Sequence, residues 1–502
     1  MPYQEEIYLF EVYEMKGNTI RSIMRLLIMI GMVLVTVSCA VNPVSGRPDL
    51  MLVSNEDEIK LGRQTDTGVT EKYGLYADQQ LTGYVDEMGQ RMGKLSHRAE
   101  LDWHFKILDA SVVNAFAAPG GYIYLTRGIL ATLNSEAELA GIMGHEIGHV
   151  TARHSAQQIS KAKMAQFGLT GLSIGLSILG IPGLSSLAEL GVGVLFLKFS
   201  RDDEREADSL GVEYATKLGY DASQMAEFFE TLKHMESKSD RSGLPSWFST
   251  HPSPEDRENA IRIQSKQMQQ KLGLKDAKID RDKYLRAIDG MVYGDDSRQG
   301  YEKGGVYYHP AMKIQFPVPA GWAVSDTQAA VQIVSKKKDA VIIFGGAAGT
   351  TPSDAAQKYI SKTGARVTKN DETHVNGFSA QWVVADVTNK KGTFKIMSFF
   401  IQKDKEIFGF HGLSSQRLFS QYASIFEDTM KGFKELSDPK KINIQPNRIS
   451  ARFTKKTNTI ENALLELGVP EHKLKELVIL NGMTPGQNIP AHTLLKIIER
   501  GR

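Results

Sequence analysis

Apolar residues recur at helical spacing along much of the first half of the chain, from about residue 54 to residue 269. Within this stretch, residues 105–108 and 121–125 are typical of short strands, and residues 114–120 between them are typical of a loop. We therefore predict a mainly helical domain over residues 40–270 that contains a small sheet.

The next stretch is charged and rich in Gly and Asp, which interrupts the helical pattern. Its composition favours either a linker or a long ordered connection. We place this segment at residues 271–304.

A different pattern, apolar residues in alternation, begins after residue 304 and is typical of strands. The predicted strands are 313–318, 329–334, 340–344, 380–387 and 394–402, and a helix over 416–433 follows them. We predict an α+β domain over residues 305–437. The turn Pro319-Ala320-Gly321-Trp322 after a strand resembles PsbP-like domains. No catalytic group of residues is visible here, so binding or packing is the expected role.

The last segment, 447–500, resembles a LysM module with a βααβ order. The motif Leu480-Asn481-Gly482 followed by Pro485-Gly486 carries most of this resemblance. It implies binding of peptidoglycan glycans. The alternative, a small domain that only packs on its neighbour, stays open.

The chain has one cysteine, Cys39, which follows three basic residues and an apolar run over 26–37. This order is typical of a secretory signal, and residues 35–39 resemble a bacterial lipobox. We predict a signal peptide over residues 1–39, lipidation of Cys39, and a true start at Met15 or Met24. Ala40 resembles the residue that sends lipoproteins to an outer membrane. The alternative is an uncleaved N-terminal anchor.

A second apolar stretch, 167–196, contains Glu189 as its one charged residue, but glycines and Pro182 divide it into two short pieces. Each piece is shorter than the ~20 residues that a membrane-spanning helix needs. We interpret the stretch as a helical hairpin that covers the active site or lies on the membrane surface.

Hydrophobic residues make up 41% of the chain and charged residues 24%, which is typical of a globular protein. The net charge of +2 gives no electrostatic reason to expect a nucleic-acid partner. A single cysteine excludes a disulfide within the chain.

The chemically informative motif is His145-Glu146-Ile147-Gly148-His149, which lies in a predicted helix. His145 and His149 are four residues apart on one helical face, where two imidazoles can bind one Zn²⁺. Glu146 is rotated by about 100° from His145 and can instead reach a water molecule beside the metal. The alternative is a buried helix with hydrogen-bonded histidines, although a buried carboxylate between them would be costly.

A catalytic zinc needs a third protein ligand. Within the acidic run 202–208, Glu204 and Asp208 are four residues apart, so we predict that Glu204 binds the metal and that Asp208 orients a ligand histidine. The alternative is a solvated acidic helix start. Glu206 points away from that face. His154 lies about 140° from the face of His149, and we interpret it as structural.

The runs HEIGHVTARHS and EREAD resemble the BepA/HtpX-type gluzincin metallopeptidases, which also include the CAAX prenyl proteases. The resemblance covers about residues 54–260. It implies that His145, His149 and Glu204 bind one Zn²⁺ per chain and that Glu146 is the general base. It also places His251 at the zinc or at the developing oxyanion and gives Arg257 a neighbouring catalytic role.

The run from Asn114 to Gly121 resembles the part of this family that supplies an edge strand beside the substrate. Its members here are Asn114, Ala115, Phe116, Gly120 and Gly121. An extended peptide could pair with such an edge, and glycines would permit a close approach.

Together these features predict an α+β multidomain protein: a gluzincin peptidase domain, a PsbP-like α/β domain and a LysM-like module. The expected function is that of a zinc endopeptidase that cleaves unfolded or misassembled envelope proteins. We expect a lipid to tether it in the periplasm, at the outer membrane. The alternative functions are an envelope chaperone with little proteolysis and a protein that anchors to the cell wall through its tail.

Overall fold

A computed structural model of the chain describes residues 39–46, 48–168, 198–236, 246–253, 256–326, 330–389 and 392–501. Helices dominate the part before residue 290. They are α1 (Asn55–Tyr73), α2 (Gln79–Leu95), α3 (Arg127–Thr132), α4 (Glu136–Thr151), α5 (His154–Gly168), α6 (Arg201–Lys217), α7 (Gln224–Glu236), α8 (Ser246–Thr250), α9 (Arg257–Leu272) and α10 (Arg281–Ala287). The strands of this part are β1 (Cys39–Val41), β2 (Pro48–Leu50), β3 (His104–Leu108), β4 (Ala115–Ala118) and β5 (Tyr122–Thr126).

Strands β4 and β5 and helices α3 and α4 form the centre of this part, because every residue from 115 to 156 is buried. The sheet has the order β3-β5-β4, with β3 parallel and β4 antiparallel to β5. The small sheet predicted from the sequence is therefore present. Residues 115–118, which the sequence pattern indicates as part of a loop, form β4 at one edge of it.

Helix α4 begins where the sequence predicts, at a cap formed by Ser135. The Ser135 hydroxyl accepts a hydrogen bond from the Glu138 backbone N–H at 3.1 Å. The Glu138 carboxylate accepts from the backbone N–H of Asn134 at 2.8 Å, one residue earlier than a capping box requires. The helix start is thus held by two side chains.

Cys39 lies in β1, which pairs antiparallel with β2. In the polar segment that follows β1, the Asn42 side chain accepts hydrogen bonds from the N–H groups of Val44 and Ser45 and forms a turn. The predicted signal peptide, apart from Cys39, lies outside the described residues.

The apolar stretch 167–196 lies outside the described residues except for its first two positions. Among the residues that the structure does describe, no helix is both long and apolar enough to cross a membrane.

The segment 271–304 is an ordered connection and not a flexible linker in its first half. Helix α10 lies within it, and Tyr284, Leu285 and Ile288 are fully buried in the core of the helical part. The Tyr284 hydroxyl donates to the carbonyl oxygen of Leu130. Charged residues outnumber apolar residues in this segment, so the sequence pattern does not indicate the helix.

An antiparallel sheet of seven strands, in the order β12-β13-β14-β15-β11-β10-β9, dominates residues 305–437, and a smaller sheet has the order β16-β8-β7-β6. The strands are β6 (Tyr301–Glu302), β7 (Val306–His309), β8 (Ile314–Pro317), β9 (Ala323–Asp326), β10 (Val331–Val334), β11 (Ala340–Gly346), β12 (Arg366–Val375), β13 (Phe378–Asn389), β14 (Gly392–Lys403), β15 (Glu406–Ser415) and β16 (Lys434–Glu435). The helices are α11 (Pro352–Thr363), α12 (Phe419–Lys431) and α13 (Pro439–Ile442). The α+β character of this domain agrees with the prediction.

Three long elements of this domain, α11, β12 and β15, were not predicted. Strand β12 has a single buried residue, Val375, and is otherwise polar and charged along most of its length. It therefore shows no apolar alternation, and its pairing with β13 is what defines it as a strand.

The C-terminal segment has the predicted βααβ order with two short additional strands. Its elements are β17 (Asn447–Phe453), β18 (Asn458–Thr459), α14 (Ile460–Glu466), α15 (Glu471–Leu480), β19 (Asn488–Ile489) and β20 (Leu494–Arg500). Strands β17 and β20 pair antiparallel. We refer to residues 447–500 as the C-terminal module.

The C-terminal module is built into the helical part through a buried lysine. Lys496 is fully buried, and its ammonium group donates to the carbonyl oxygens of Ala131 and Leu133 at 2.8 and 2.9 Å. These carbonyls lie at the end of α3, where a helix leaves its acceptors unpaired. Ile449 and Leu494 of the module also belong to the core of the helical part. The module thus supports the turn that leads into α4.

Glu138, at the start of α4, is expected to make stability depend on pH. Burial raises the pKa of its carboxyl from the usual 4.5 to about 7, although the Asn134 N–H and the Lys496 charge oppose the shift. The folded chain then holds this proton to a higher pH than the unfolded chain, so the free energy of unfolding falls as pH rises from about 4.5 to about 7 and then levels. Between pH 5 and 8, the free energy of unfolding of Glu138→Gln should decrease by about 1–3 kcal/mol less than that of the unmodified chain. Urea unfolding at each pH measures this difference. Parallel curves for the two proteins would contradict the shift.

Candidate active site

Helices α4 and α6 approach closely enough for their backbones to touch. A Cβ atom on Gly144 would lie 2.9 Å from the Gly211 carbonyl oxygen, and one on Gly148 would lie 3.1 Å from the Cα of Ala207. Because glycine has no side chain, the two helices can pack at this distance. The close contact brings the histidines of α4 against the acidic start of α6.

Four side chains converge where the helices meet: His145 and His149 of α4, Glu204 of α6, and His251 just after α8. One ligand atom from each lies within 4.8 Å of all the others, and all four residues are buried. The Nε2 atoms of His145 and His149 are 3.0 Å apart, and Glu204 Oε1 lies 3.5 Å from His149 Nε2. Two imidazoles and a carboxylate are the ligand set of many catalytic zinc sites, so these residues fit a zinc ion.

His251 is the fourth member of this cluster. Its Nδ1 atom is 3.0 Å from Glu204 Oε1 and 3.4 Å from His145 Nε2. Its ring stacks on that of Trp247, with the centroids 4.3 Å apart. Its Nε2 atom is buried and has no hydrogen-bond partner among the described residues. One nitrogen therefore faces the ligand cluster, and the other is available to a second group.

Glu146 lies beside the cluster but does not belong to it. Both of its carboxylate oxygens are buried and without hydrogen-bond partners in the described part of the chain, and Oε1 is 3.6 Å from His251 Nε2. Burial raises the pKa of this carboxyl, although His251 and His145 oppose the shift. A buried carboxyl with a raised pKa and free oxygens is suited to exchange protons with a bound molecule.

Asp208 contacts His145, the first histidine of the cluster. Its Oδ1 atom lies 2.9 Å from Nδ1 of His145. The guanidinium of Arg257 binds both Asp208 oxygens, at 2.7 and 2.8 Å, and lies 3.4 Å from Glu204 Oε2. Burial disfavours the charge of Asp208, but Arg257 and His145 outweigh it and hold the pKa of Asp208 below its usual value.

Arg257 therefore lies behind the cluster, on the side of Asp208 and Glu204. It is fully buried, and its guanidinium also stacks on Phe229 at 3.9 Å from the ring centroid. In this position it neutralises the two carboxylates of α6.

His154 and Glu206 were not predicted to take part in the site, but both lie close to it. His154 Nδ1 is 2.9 Å from Nδ1 of His149, and His154 Nε2 is 3.2 Å from Glu206 Oε2. The angle of 140° holds only if α4 continues as far as His154, whereas the helix ends at Thr151. A sequence signal for this turn was absent, because no Gly or Pro stands there.

The predicted edge strand is β4, which packs on α4 and pairs with β5 alone among the described strands. Asn114 precedes it, and Ala115 and Phe116 are buried within it. The backbone N–H of Trp247 donates to the carbonyl of Val113, which ties the segment of His251 to this strand. The edge strand β4 and the cluster that contains His251 are thus connected through this hydrogen bond.

The two glycines of this run serve internal packing. Gly120 and Gly121 have φ angles of 79° and 97°, a conformation that other residues rarely adopt. A Cβ on Gly120 would lie 2.9 Å from the Cα of Ile59, and one on Gly121 would lie 2.7 Å from the Asp102 carbonyl oxygen. The close approach that the sequence suggested for a substrate is made here by α1 and by the segment before β3.

Residues 79–264 match the model of peptidase family M48. The putative beta-barrel assembly-enhancing protease of Vibrio cholerae is 31% identical over 196 residues, which are 38% of this chain and 40% of that protein. The beta-barrel assembly-enhancing protease of Escherichia coli K12 is 30% identical over 39% of this chain and 41% of its own length. The mitochondrial metalloendopeptidase OMA1 of Bos taurus is 29% identical over 42% of this chain and 43% of its own length.

The matched segment spans about two fifths of the length of these curated relatives. Among solved structures, the cyanobacterial PsbP of Synechocystis sp. PCC 6803 matches 27% of this chain and 98% of its own, at 13% identity and a TM-score of 0.23.

Proposed function

Because the chain carries a metallopeptidase domain of family M48, we propose that it is a zinc-dependent endopeptidase that cleaves unfolded or misassembled proteins of the cell envelope. The observation that supports this most strongly is the buried cluster of His145, His149, Glu204 and His251 with the unpaired carboxylate of Glu146 beside it. We assign the ion to His145, His149 and Glu204, with one ion per chain.

A zinc ion held by these residues would polarise the carbonyl of a peptide bond and lower the pKa of a water molecule toward ~7. Glu146 would take the proton of that water and pass it to the leaving amine. Asp208 would hold His145 in place through its Nδ1–H, and Arg257 would keep Asp208 and Glu204 charged and fixed. In this scheme Arg257 acts through the ligands and does not contact the substrate.

His251 has two roles open to it, because its two nitrogens face different groups. Its unpaired Nε2 could donate to the oxyanion of the tetrahedral intermediate, a contribution typically of ~2.7–4 kcal/mol. Its Nδ1, which already lies within the ligand cluster, could instead bind the ion and exclude water. The second arrangement supports the rival function, a chaperone that binds clients with little proteolysis.

The substrate would bind as an added strand along β4. Asn114, Ala115 and Phe116 would line this edge, and the backbone groups of β4 would pair with an extended peptide of varied sequence. Such pairing suits unfolded chains, because a folded protein rarely offers an unpaired extended segment.

An envelope location is proposed from the names of the relatives and from the N-terminal pattern of the sequence. Lipidation of Cys39 would tether the chain on the periplasmic side of a membrane, which we propose to be the outer membrane. Glycan binding by the C-terminal module is a further proposal, supported by its βααβ order.

Incubation of the full chain with unfolded casein separates the enzyme from the chaperone. We expect casein fragments that disappear when 1,10-phenanthroline removes the metal and return when zinc is added back. Suppression of casein aggregation without fragments, under the same conditions, would favour the chaperone and overturn the proposed function.

A further inference from the structure

The two ligand histidines of α4 are supported in different ways on the side away from the ligand cluster. His145 Nδ1 meets the carboxylate of Asp208, which is 6% exposed and is bound by Arg257. His149 Nδ1 meets another imidazole, that of His154, at 2.9 Å. His154 in turn reaches Glu206, whose side chain is 35% exposed.

The approach of His154 to His149 depends on the backbone between them. Helix α4 ends at Thr151, and Arg153 adopts a φ angle of 60°, which is uncommon for a residue other than Gly, Asn or Asp. This turn separates α4 from α5, and His154 begins α5 with its ring centroid 5.0 Å from that of His149. The guanidinium of Arg153 binds Glu58 at 2.6 Å and the Val53 carbonyl at 2.9 Å, contacts that hold the turn in place.

Metal binding by His149 would determine which ring nitrogens carry hydrogens along the path from His149 through His154 to Glu206. If Nε2 of His149 binds a metal, its Nδ1 carries the hydrogen and donates to His154 Nδ1. His154 Nε2 must then carry a hydrogen, and it donates to Glu206 Oε2. Both nitrogens of His154 then have a partner.

We propose that His154 and Glu206 are positioning residues that hold the ring of His149 for metal binding, a role that rests on the proposed metal site. A carboxylate usually performs this task, as Asp208 does for His145. Here the ring of His154 carries the interaction out to Glu206, whose side chain is partly exposed. The buried site therefore receives one negative charge fewer than it would from a second direct carboxylate.

Three variants test this role, with zinc affinity measured by competition with a chromophoric chelator. His154→Phe keeps an aromatic side chain but removes both ring nitrogens, and we expect it to weaken zinc binding about 10–100-fold. His154→Asn can still offer an oxygen to His149 and should recover part of the loss. Glu206→Gln keeps an acceptor and should cost less than His154→Phe. The visible absorption of the Co²⁺-substituted protein should change in His154→Phe, because the ring of His149 is no longer fixed.

Matched controls are His472→Asn and Glu213→Gln. His472 is an exposed residue of the C-terminal module, and Glu213 lies on α6 and pairs with Lys217. Both controls should bind zinc as the unmodified chain does. Thermal unfolding of the metal-free proteins checks the fold, and if His154→Phe unfolds, the Asn and Gln variants still carry the test.

The outcomes separate this role from the metal site itself. Unchanged zinc affinity in His154→Phe, or equal losses in the Phe and Asn variants, would overturn the positioning role, provided that Glu204→Gln does weaken binding. If Glu204→Gln also leaves zinc affinity unchanged, the proposed metal site is wrong, and the positioning role fails with it.

Discussion

Cleavage of unfolded protein should fall by about 10²–10⁴-fold in Glu146→Gln, with the zinc content unchanged. The amide has nearly the shape of the carboxylate, but it cannot accept a proton. Glu146 has no hydrogen-bond partner among the described residues and lies outside the ligand cluster, so its replacement breaks no observed hydrogen bond. The contact of Oε1 with His251 Nε2, at 3.6 Å, loses the carboxylate charge. The measurements are the rate of casein cleavage and the zinc content of the purified protein.

Glu138→Gln is the matched control for this experiment, because Glu138 is also a buried glutamate of α4. It lies eight residues before Glu146 and contacts the helix start, and we expect its cleavage rate near pH 7 to resemble that of the unmodified chain. Retained cleavage in Glu146→Gln would exclude Glu146 as the general base. Loss of zinc together with activity would assign it a role in binding the ion.

Lys496→Met should lower the free energy of unfolding by about 3–5 kcal/mol. Methionine has a similar length, but it cannot donate to the carbonyls of Ala131 and Leu133. These acceptors are buried and would lose their partner, and Glu138 would lose a nearby positive charge. Urea unfolding measures the total loss, and hydrogen exchange shows where it falls.

Faster exchange is expected in α3 and α4, outside the C-terminal module that carries the substitution. The seven-stranded sheet, which Lys496 does not contact in the described structure, should exchange as before. Lys475→Met, an exposed lysine of the same module, is the control and should leave stability nearly unchanged. If hydrogen exchange in Lys496→Met becomes faster only within residues 447–500, the C-terminal module does not support α4.

The sequence leaves two roles open for the C-terminal module, packing on the neighbouring part and glycan binding. Residues of β17 and β20 complete the core of the helical part, and Gly482 lies against Asn134, where a Cβ would come within 2.9 Å of the amide nitrogen. Packing on the neighbouring part is therefore one function of the module. Glycan binding remains a proposal for the surfaces that do not face α3 and α4.

The sequence by itself determined the helix that carries His145 and His149, because helical spacing and a capping serine are local properties. It also predicted Glu204 and Asp208 correctly as neighbours of these histidines, since a spacing of four residues places both on one face of α6. The alternating strands of the α+β domain were predictable where one face is buried, as in β10 and β11.

Only the tertiary structure decided the partners that depend on contacts between distant segments. His154 reaches His149 because the chain turns at Arg153, and Arg257 reaches Asp208 across 49 residues. Lys496 finds its acceptors more than 360 residues away. A periodic pattern reports which face of an element is apolar, but it does not report which element covers that face. The residues that we assign to the proposed metal site were therefore visible in the sequence, whereas most of the residues that contact them were not.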